Sequence, residues 1–235
     1  LHEGKGRLAN NMTIINAIRE NFKINLPLKN KTVLVTAGPT QEPIDDVRYI
    51  SNRSSGKMGF AIAKSARNLG ANVTLITGPT NLKNIPEINM YHIKTADEML
   101  GMVNKNLDVD YIVMNAAVAD YKMPQANIGK IKKNNERLNI ELTPTVDILN
   151  SIRPNTSAKI IGFALEMNNK KDNAINKMKS KNLDFIVLNT ANNKDQGFDV
   201  DTNQVTIFSK CGKEIKSDID TKARIADFIW DNITH

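Results

Sequence analysis

The chain has 235 residues, 40% of them apolar and 24% charged, the composition of a globular protein and the length of one large domain or two small ones. No apolar run approaches the roughly 20 residues that span a bilayer, the single cysteine, Cys211, rules out an internal disulfide and suits a reducing cytosol, and His2, His92 and His235 show no metal-ligand spacing. A net charge of +7 either draws polyanions or is plain solvated surface; because the four tyrosines and one tryptophan are not interleaved with the lysines, nucleic acid is disfavoured against a phosphorylated small molecule.

The opening LHEGKGRLANN is polar and glycine-containing. Met12–Phe22 reads as a short helix, and Pro27 with Lys29 and Asn30 makes a linker, so residues 1–30 stand apart from residues 31–235. Thr32–Thr36 is a continuous apolar run, the mark of a strand buried on both faces. Thr36-Ala37-Gly38-Pro39-Thr40 closes it, and about eighteen residues of loop follow. Met58, Ile62, Ala66 and Leu69 then recur at helical spacing until Gly70.

Further strands are expected at Asn72–Thr77, Tyr111–Met114, Lys159–Ala164 and Phe185–Leu188. Helices are expected at Ala96–Leu107, at Val146–Ile152 with Thr145 as N-cap, and at Asp172–Lys181. Gln204–Ser209 and Lys213–Lys216 flank Cys211-Gly212 as a β-hairpin, and Thr221–Ile233 is a closing helix. Repeated β-α-β units predict an α/β fold: a Rossmann-like, mostly parallel sheet with helices on both faces, plus the C-terminal hairpin and closing helix. Ligands of such sheets bind at the carboxyl ends of the strands, which directs attention to particular loops.

The first of these loops ends in Ser54-Ser55-Gly56-Lys57-Met58-Gly59. A Gly/Ser-rich helix entrance presents free N–H groups and the positive end of the helix dipole to phosphate; it is equally consistent with Ser54 as a cap and glycines for packing. Met58 stands where a Walker loop needs Ser or Thr, and no G-x-G-x-x-G follows the first strand. After the strand at Tyr111 comes Asn115-Ala116-Ala117-Val118-Ala119-Asp120-Tyr121, small residues that admit a ligand or pack tightly, with a carboxylate at the strand end. Lys130-Ile131-Lys132-Lys133 follows Gly129 as a triphosphate clamp or a solvated run, and Lys177 and Lys181 lie one helical turn apart.

Taken together the loops resemble one family, the phosphopantothenoylcysteine synthetases. The resemblance is carried by TAGPTQEPIDDVRYISNRSSGKMG (residues 36–59), NAAVADY (115–121), KIKK (130–133), Asp147-Ile148, GFALE (162–166), KNLD (181–184), and the segment from Asn189 through Gln196-Gly197-Phe198. It covers residues 31 to about 233, and its first motif is long enough to make a chance match implausible. EGKGRLA (residues 3–9) looks like the tail of the flavin-dependent decarboxylase fused ahead of this synthetase in many bacteria; no decarboxylase core is present, so no flavin is assigned here.

The resemblance implies a cytoplasmic ligase that joins 4′-phosphopantothenate to L-cysteine. CTP activates the carboxylate as an acyl-cytidylate with loss of pyrophosphate, and the cysteine amine then displaces CMP; eukaryotic relatives can use ATP. It implies catalytic roles for Asn52, Lys130 and Arg48, with Arg48, Asn52, Asn115 and Ala116 against the substrate. It places nucleotide at Gly38, Ser54, Ser55, Gly56, Ala117 and Asp120, at Lys130, and at Thr145, Val146, Asp147 and Ile148, with Phe163, Lys177 and Lys181 near the base. Mg²⁺ would sit at Asp120 and Asp147. A homodimer is implied, the lysine loop reaching into the neighbouring site. The competing readings are an NAD(P)-dependent Rossmann-type oxidoreductase or nucleotide-sugar enzyme, disfavoured by the missing glycine fingerprint and Tyr-x-x-x-Lys dyad, and a non-enzymatic basic binding module.

Overall fold

The computed structural model describes residues 8–21, 26–133, 137–165, 170–189 and 200–234. Helix α1 (Asn11–Asn21) starts where the Asn10 side chain accepts the Thr13 N–H at 2.8 Å. Strand β1 (Thr32–Ala37) follows; then a short hairpin, β2 (Gln41–Pro43) and β3 (Tyr49–Ser51), α2 (Lys57–Asn68), β4 (Asn72–Thr77) and β5 (Asn89–His92). Next come α3 (Ala96–Asn104), β6 (Tyr111–Met114), a two-residue ribbon of β7 (Tyr121–Lys122) with β8 (Thr143–Pro144), and α4 (Ile148–Ile152). The chain continues through β9 (Lys159–Leu165), α5 (Lys170–Ser180) and β10 (Phe185–Asn189). It ends with β11 (Thr202–Asn203), β12 (Val205–Ser209), β13 (Glu214–Lys216), β14 (Asp220–Thr221) and α6 (Lys222–Ile233).

Eight strands form one sheet in the order β13-β12-β10-β9-β6-β1-β4-β5. The run from β5 to β10 is parallel, and β12 and β13 continue it antiparallel. This is the Rossmann-like sheet with a C-terminal hairpin that the sequence predicts. The continuous apolar run of β1 is resolved by its pleat. Val33, Val35 and Ala37 join Phe60, Ile62 and Trp230 in a core under α2 and α6, while Leu34 joins Met99, Ile112, Ile152 and Met178 in the core on the opposite face. Fully buried Trp230 fastens the first layer: its indole N–H donates to the Ile62 carbonyl at 3.1 Å and its ring meets Tyr111 edge-on at 5.8 Å. Among the described residues no helix is long and apolar enough to cross a membrane.

Several local expectations are corrected. The helix read as Ala96–Leu107 ends at Asn104, because the Asn106 backbone and side chain turn back onto the carbonyls of Val103 and Met102. The helix read as Asp172–Lys181 spans Lys170–Ser180. The helix read as Val146–Ile152 begins at Ile148; its N-cap is Asp147, whose carboxylate accepts the Asn150 N–H at 3.1 Å, whereas the Thr145 hydroxyl is spent on the Ala119 carbonyl at 2.6 Å. The long loop after β1 holds the β2–β3 hairpin, and β5, β7 and β8 were not expected. Phe22, Glu3–Arg7, Glu166 and Gln196-Gly197-Phe198 lie outside the described residues. Leu28 is fully buried and its N–H bonds Leu69 O at 3.1 Å, so the packed unit already includes it.

Candidate functional site

β1 has β4 on one side and β6 on the other, and the chain order reverses there. Such a switch point leaves a crevice outside the carboxyl ends of the strands. A cleft of about 610 Å³ lies on the β6 side of this point, at the carboxyl ends of β6, β9 and β10, lined by Asn52, by residues 114–118 and Asp120, by residues 145–149 around the start of α4, by Phe163, Ala164 and Leu165 of β9, by Lys177 and Lys181, and by Asn189. A smaller recess adjoins it at the head of α2, sharing Asn115, Phe163 and Asn189 and adding Ser54, Ser55, Gly56, Lys57, Met58, Asn203 and Lys222.

Buried threonines hold the floor. Thr36 Oγ1 accepts the Ala116 N–H at 3.2 Å and Thr40 Oγ1 the Ala119 N–H at 2.9 Å, while Ala117 N donates to Gly38 O at 2.9 Å. The alanine-rich segment is thus stitched to the end of β1, and Asp120 emerges at its close, exposed. Asn52 reaches the same segment from the hairpin: its amide donates to Ala117 O at 3.1 Å and to Val118 O at 3.0 Å. Both amide hydrogens are therefore engaged, and donation to a substrate oxyanion would require one of them to exchange partner.

Gly56 heads α2 with φ +77°, a left-handed conformation, and the helix N-terminus borders the recess. A Cβ there would lie 2.7 Å from Thr80 Cγ2 and 3.4 Å from Gly38 Cα. Gly38 does not line the cleft; it is the close-packed counterpart of Gly56 behind it. The Ser54 hydroxyl accepts the Gly56 N–H at 3.3 Å.

Asp147 and the lysines form the polar wall. Besides capping α4, Asp147 accepts the Lys181 ammonium and Asn150 Nδ2. Its burial raises the carboxyl pKa, but the Lys181 hydrogen bond, the Asn150 N–H and the charges of Lys181 and Lys177 more than offset that and hold it below its ordinary value. Lys177 donates to the Phe163 carbonyl at 2.8 Å. Among the described residues no three His, Cys, Asp or Glu side chains converge as a metal cage. With Asp147 committed to its cap and to Lys181, Asp120 is the better-disposed carboxylate for a cation that arrives on phosphate.

The structure therefore gathers Asn52, Asn115, Ala116, Ala117, Asp120, Thr145, Val146, Asp147, Ile148, Phe163, Lys177 and Lys181 into one cleft, with Ser54, Ser55 and Gly56 in the adjoining recess. It does not bring Arg48 or Lys130 to that cleft. Arg48 lies in the β2–β3 turn with its guanidinium on Asp45, and Lys130 is exposed on the loop packed against that turn. Sequence reasoning missed Asn189, Lys57, Lys222 and Asn203 as lining residues. Asn189 had a usable signal, since it ends the parallel strand β10. Its side-chain oxygen is buried and has no hydrogen-bond partner among the described residues.

The family described as the DNA/pantothenate metabolism flavoprotein C-terminal domain matches residues 28–235. The chain belongs to that family. It is 37% identical over 236 residues, 98% of its length, to the coenzyme A biosynthesis bifunctional protein CoaBC of Escherichia coli K12, and spans 58% of that protein's length. The crystal structure of the C-terminal domain of a CoaBC protein superposes with a TM-score of 0.77 at 37% identity, covering 89% of this chain and 96% of the other. A variant of Cab2 in complex with phosphopantothenate-cysteine shares the fold of this flavoprotein C-terminal domain at 16% identity, TM-score 0.69, covering 96% of this chain and 92% of that one.

Proposed function

We propose that this chain is a phosphopantothenate–cysteine ligase unit that uses CTP and acts in the cytosol behind an upstream flavin-dependent decarboxylase domain. The observation that carries the reading is the convergence of five separate sequence segments, from Asn52, the alanine-rich loop, the start of α4, the end of β9 and α5, on one cleft beside the N-terminus of α2. The bifunctional relatives, of which the chain spans about three fifths, supply the expectation of the further domain.

A free carboxylate is a poor acyl donor, because oxide would have to leave. In the first step a phosphopantothenate carboxylate oxygen bonds to the α-phosphorus of CTP and the bond to pyrophosphate breaks. In the second the cysteine amine bonds to the acyl carbon, loses a proton, and the C–O bond to CMP breaks. The head of α2 with Ser54, Ser55 and Gly56 suits a phosphate group, and Lys177 and Lys181 add positive charge to the opposite wall. Mg²⁺ bound to phosphate oxygens would neutralise charge on the nucleotide, with Asp120 as its protein ligand and Asp147 the weaker candidate. Asn115, Ala116 and Asn52, which line the same cleft, are the candidates to meet the acyl group.

Lys130 is absent from the cleft of its own chain, which supports the reading of a homodimer in which the lysine loop serves the neighbouring site. The deciding experiment is a coupled pyrophosphate assay with phosphopantothenate and cysteine, CTP or ATP being supplied in turn. Release that depends on phosphopantothenate and is faster with CTP is expected. No release with either nucleotide would overturn the ligase reading, and equal or faster turnover of ATP would overturn the nucleotide choice alone.

A further inference from the structure

The lysine loop is fixed to the β2–β3 turn by side chains of the turn itself. Within the turn, Ile44 N donates to Arg48 O at 2.8 Å, and Asp45 Oδ1 accepts the N–H groups of Val47 and Arg48 at 2.9 and 2.8 Å. That is the ordinary work of an aspartate closing a turn. The other oxygen, Asp45 Oδ2, accepts Arg48 Nε at 3.0 Å, Arg48 Nη2 at 2.5 Å and, from a segment 86 residues away, Ile131 N at 3.0 Å. Arg48 Nη2 in turn donates to Ile131 O at 2.8 Å. Both backbone polar groups of Ile131 are therefore held by one ion pair. Two residues earlier, Asp46 Oδ2 accepts the Gly129 N–H at 2.9 Å, and Asn127 N donates to Ile44 O at 3.0 Å.

Lys130 stands between the two anchored residues. It is exposed and does not line its own cleft, while Asp45 is fully buried at the side chain. We propose that Asp45 and Arg48 are positioning residues, a clamp on the backbone of Ile131 that sets the place from which Lys130 acts; this rests on the reading of Lys130 as the charge that stabilises pyrophosphate departure. Arg48 thus works through the loop, by a planar fork that spans a carboxylate and a carbonyl, and a lysine in its place has only a point charge to offer. The buried carboxylate suits the task. The Arg48 hydrogen bond, with the Ile131, Val47 and Arg48 N–H groups, outweighs its burial and holds the Asp45 carboxyl far below the usual carboxylate range, so the clamp stays charged throughout the working pH of an enzyme.

The test has a kinetic arm and a structural arm, each applied to Asp45→Asn and to Arg48→Lys. In the kinetic arm pyrophosphate release is measured without cysteine. Because a misplacement of about 1 Å can cost on the order of a hundredfold, Asp45→Asn should slow this single-turnover release by about tenfold to a hundredfold. In the Lys130→Gln background it should cost nothing more, since a clamp has no work once its cargo is gone. Losses that multiply in the double variant would overturn the proposal, for they would show that Asp45 acts independently of Lys130. In the structural arm amide hydrogen exchange is read at Gly129 and Ile131. Faster exchange at Ile131 in both variants, with the Ala117 region unchanged, is expected; unchanged protection at Ile131 would overturn the clamp itself. If Lys130→Gln releases pyrophosphate at the wild-type rate, the catalytic reading of Lys130 fails, and the exchange data alone still decide whether the clamp exists. Should Asp45→Asn not fold, Arg48→Lys carries both arms, because it leaves the Asp45 turn bonds in place.

Discussion

Gly59→Ala and Gly101→Ala are the same chemical change in two helices, and their effects should have opposite signs. A Cβ on Gly59 in α2 would lie 2.6 Å from Ala37 Cβ, 2.9 Å from Asn115 Oδ1 and 3.1 Å from Ala37 Cα. Carbon atoms rest at about 3.5–4.0 Å, so helix and strand must part by roughly 1 Å. Ala37 has little freedom to retreat, being fully buried in a strand bonded to β4 and β6 on its two sides. One forced methyl costs about 1–3 kcal/mol, and the better helix propensity of alanine returns at most about 1 kcal/mol. The net loss, up to about 2 kcal/mol, should lower Tm by up to roughly 8 °C. On Gly101 in α3 a Cβ meets nothing within 4 Å, so only the propensity gain remains. Tm should rise by roughly 1–4 °C there. Thermal unfolding followed by circular dichroism reads both shifts. Steady-state kinetics add a second readout, because Asn115 lines the cleft and its side chain must give way in Gly59→Ala. The KM for CTP should rise in that variant and stay unchanged in Gly101→Ala. A Gly59→Ala protein that melts at or above the wild-type temperature, or a pair of variants that shift together, would refute the reasoning.

Lys130→Gln should block pyrophosphate release even without cysteine, by about 10²–10³, the cost of losing one charge-stabilising donor; near-normal release would make the KIKK run a solvated loop. Mixing Asn52→Asp with Lys130→Gln subunits should restore activity if each site is built from two chains, and no recovery after demonstrated subunit exchange would assign each site to a single chain. Asp110 accepts Lys31 Nζ and the Thr32 N–H, each at 2.8 Å, and the Lys31 bond, then the Thr32 N–H, hold its carboxyl below the ordinary 3.8. A depressed folded value contributes stability above the unfolded pKa and loses it as pH falls through the folded one, so Asp110→Asn should flatten the loss of stability below about pH 4. Denaturant midpoints measured across that range would show this, and an unchanged acid slope would argue against it.

The parts of the fold written in local order were readable in advance. The apolar run of β1 announced a strand covered on both faces, Met58, Ile62 and Ala66 announced α2, and the strand-end rule pointed to the loops at Ser54 and Asn115 that line the recess and the cleft. The β2–β3 hairpin was not readable, because its three-residue strands carry no apolar alternation. It is held by polar contacts to distant backbone, Glu42 accepting the Ala96 N–H at 2.9 Å and Asp45 accepting that of Ile131. Thr145 and Asp147 are both capping residue types; the Ala119 carbonyl, brought close by the β7–β8 ribbon, takes the threonine and leaves the cap to the aspartate. Arg48 likewise has the chemistry of a substrate-anion binder, and only its position beside Asp45 and Ile131 commits it to another segment. Apolar periodicity states which side chains need burial, and burial is a local demand with few solutions. A polar side chain states only that it needs partners, and which partners it meets is decided by the register of strands and loops far away in the chain.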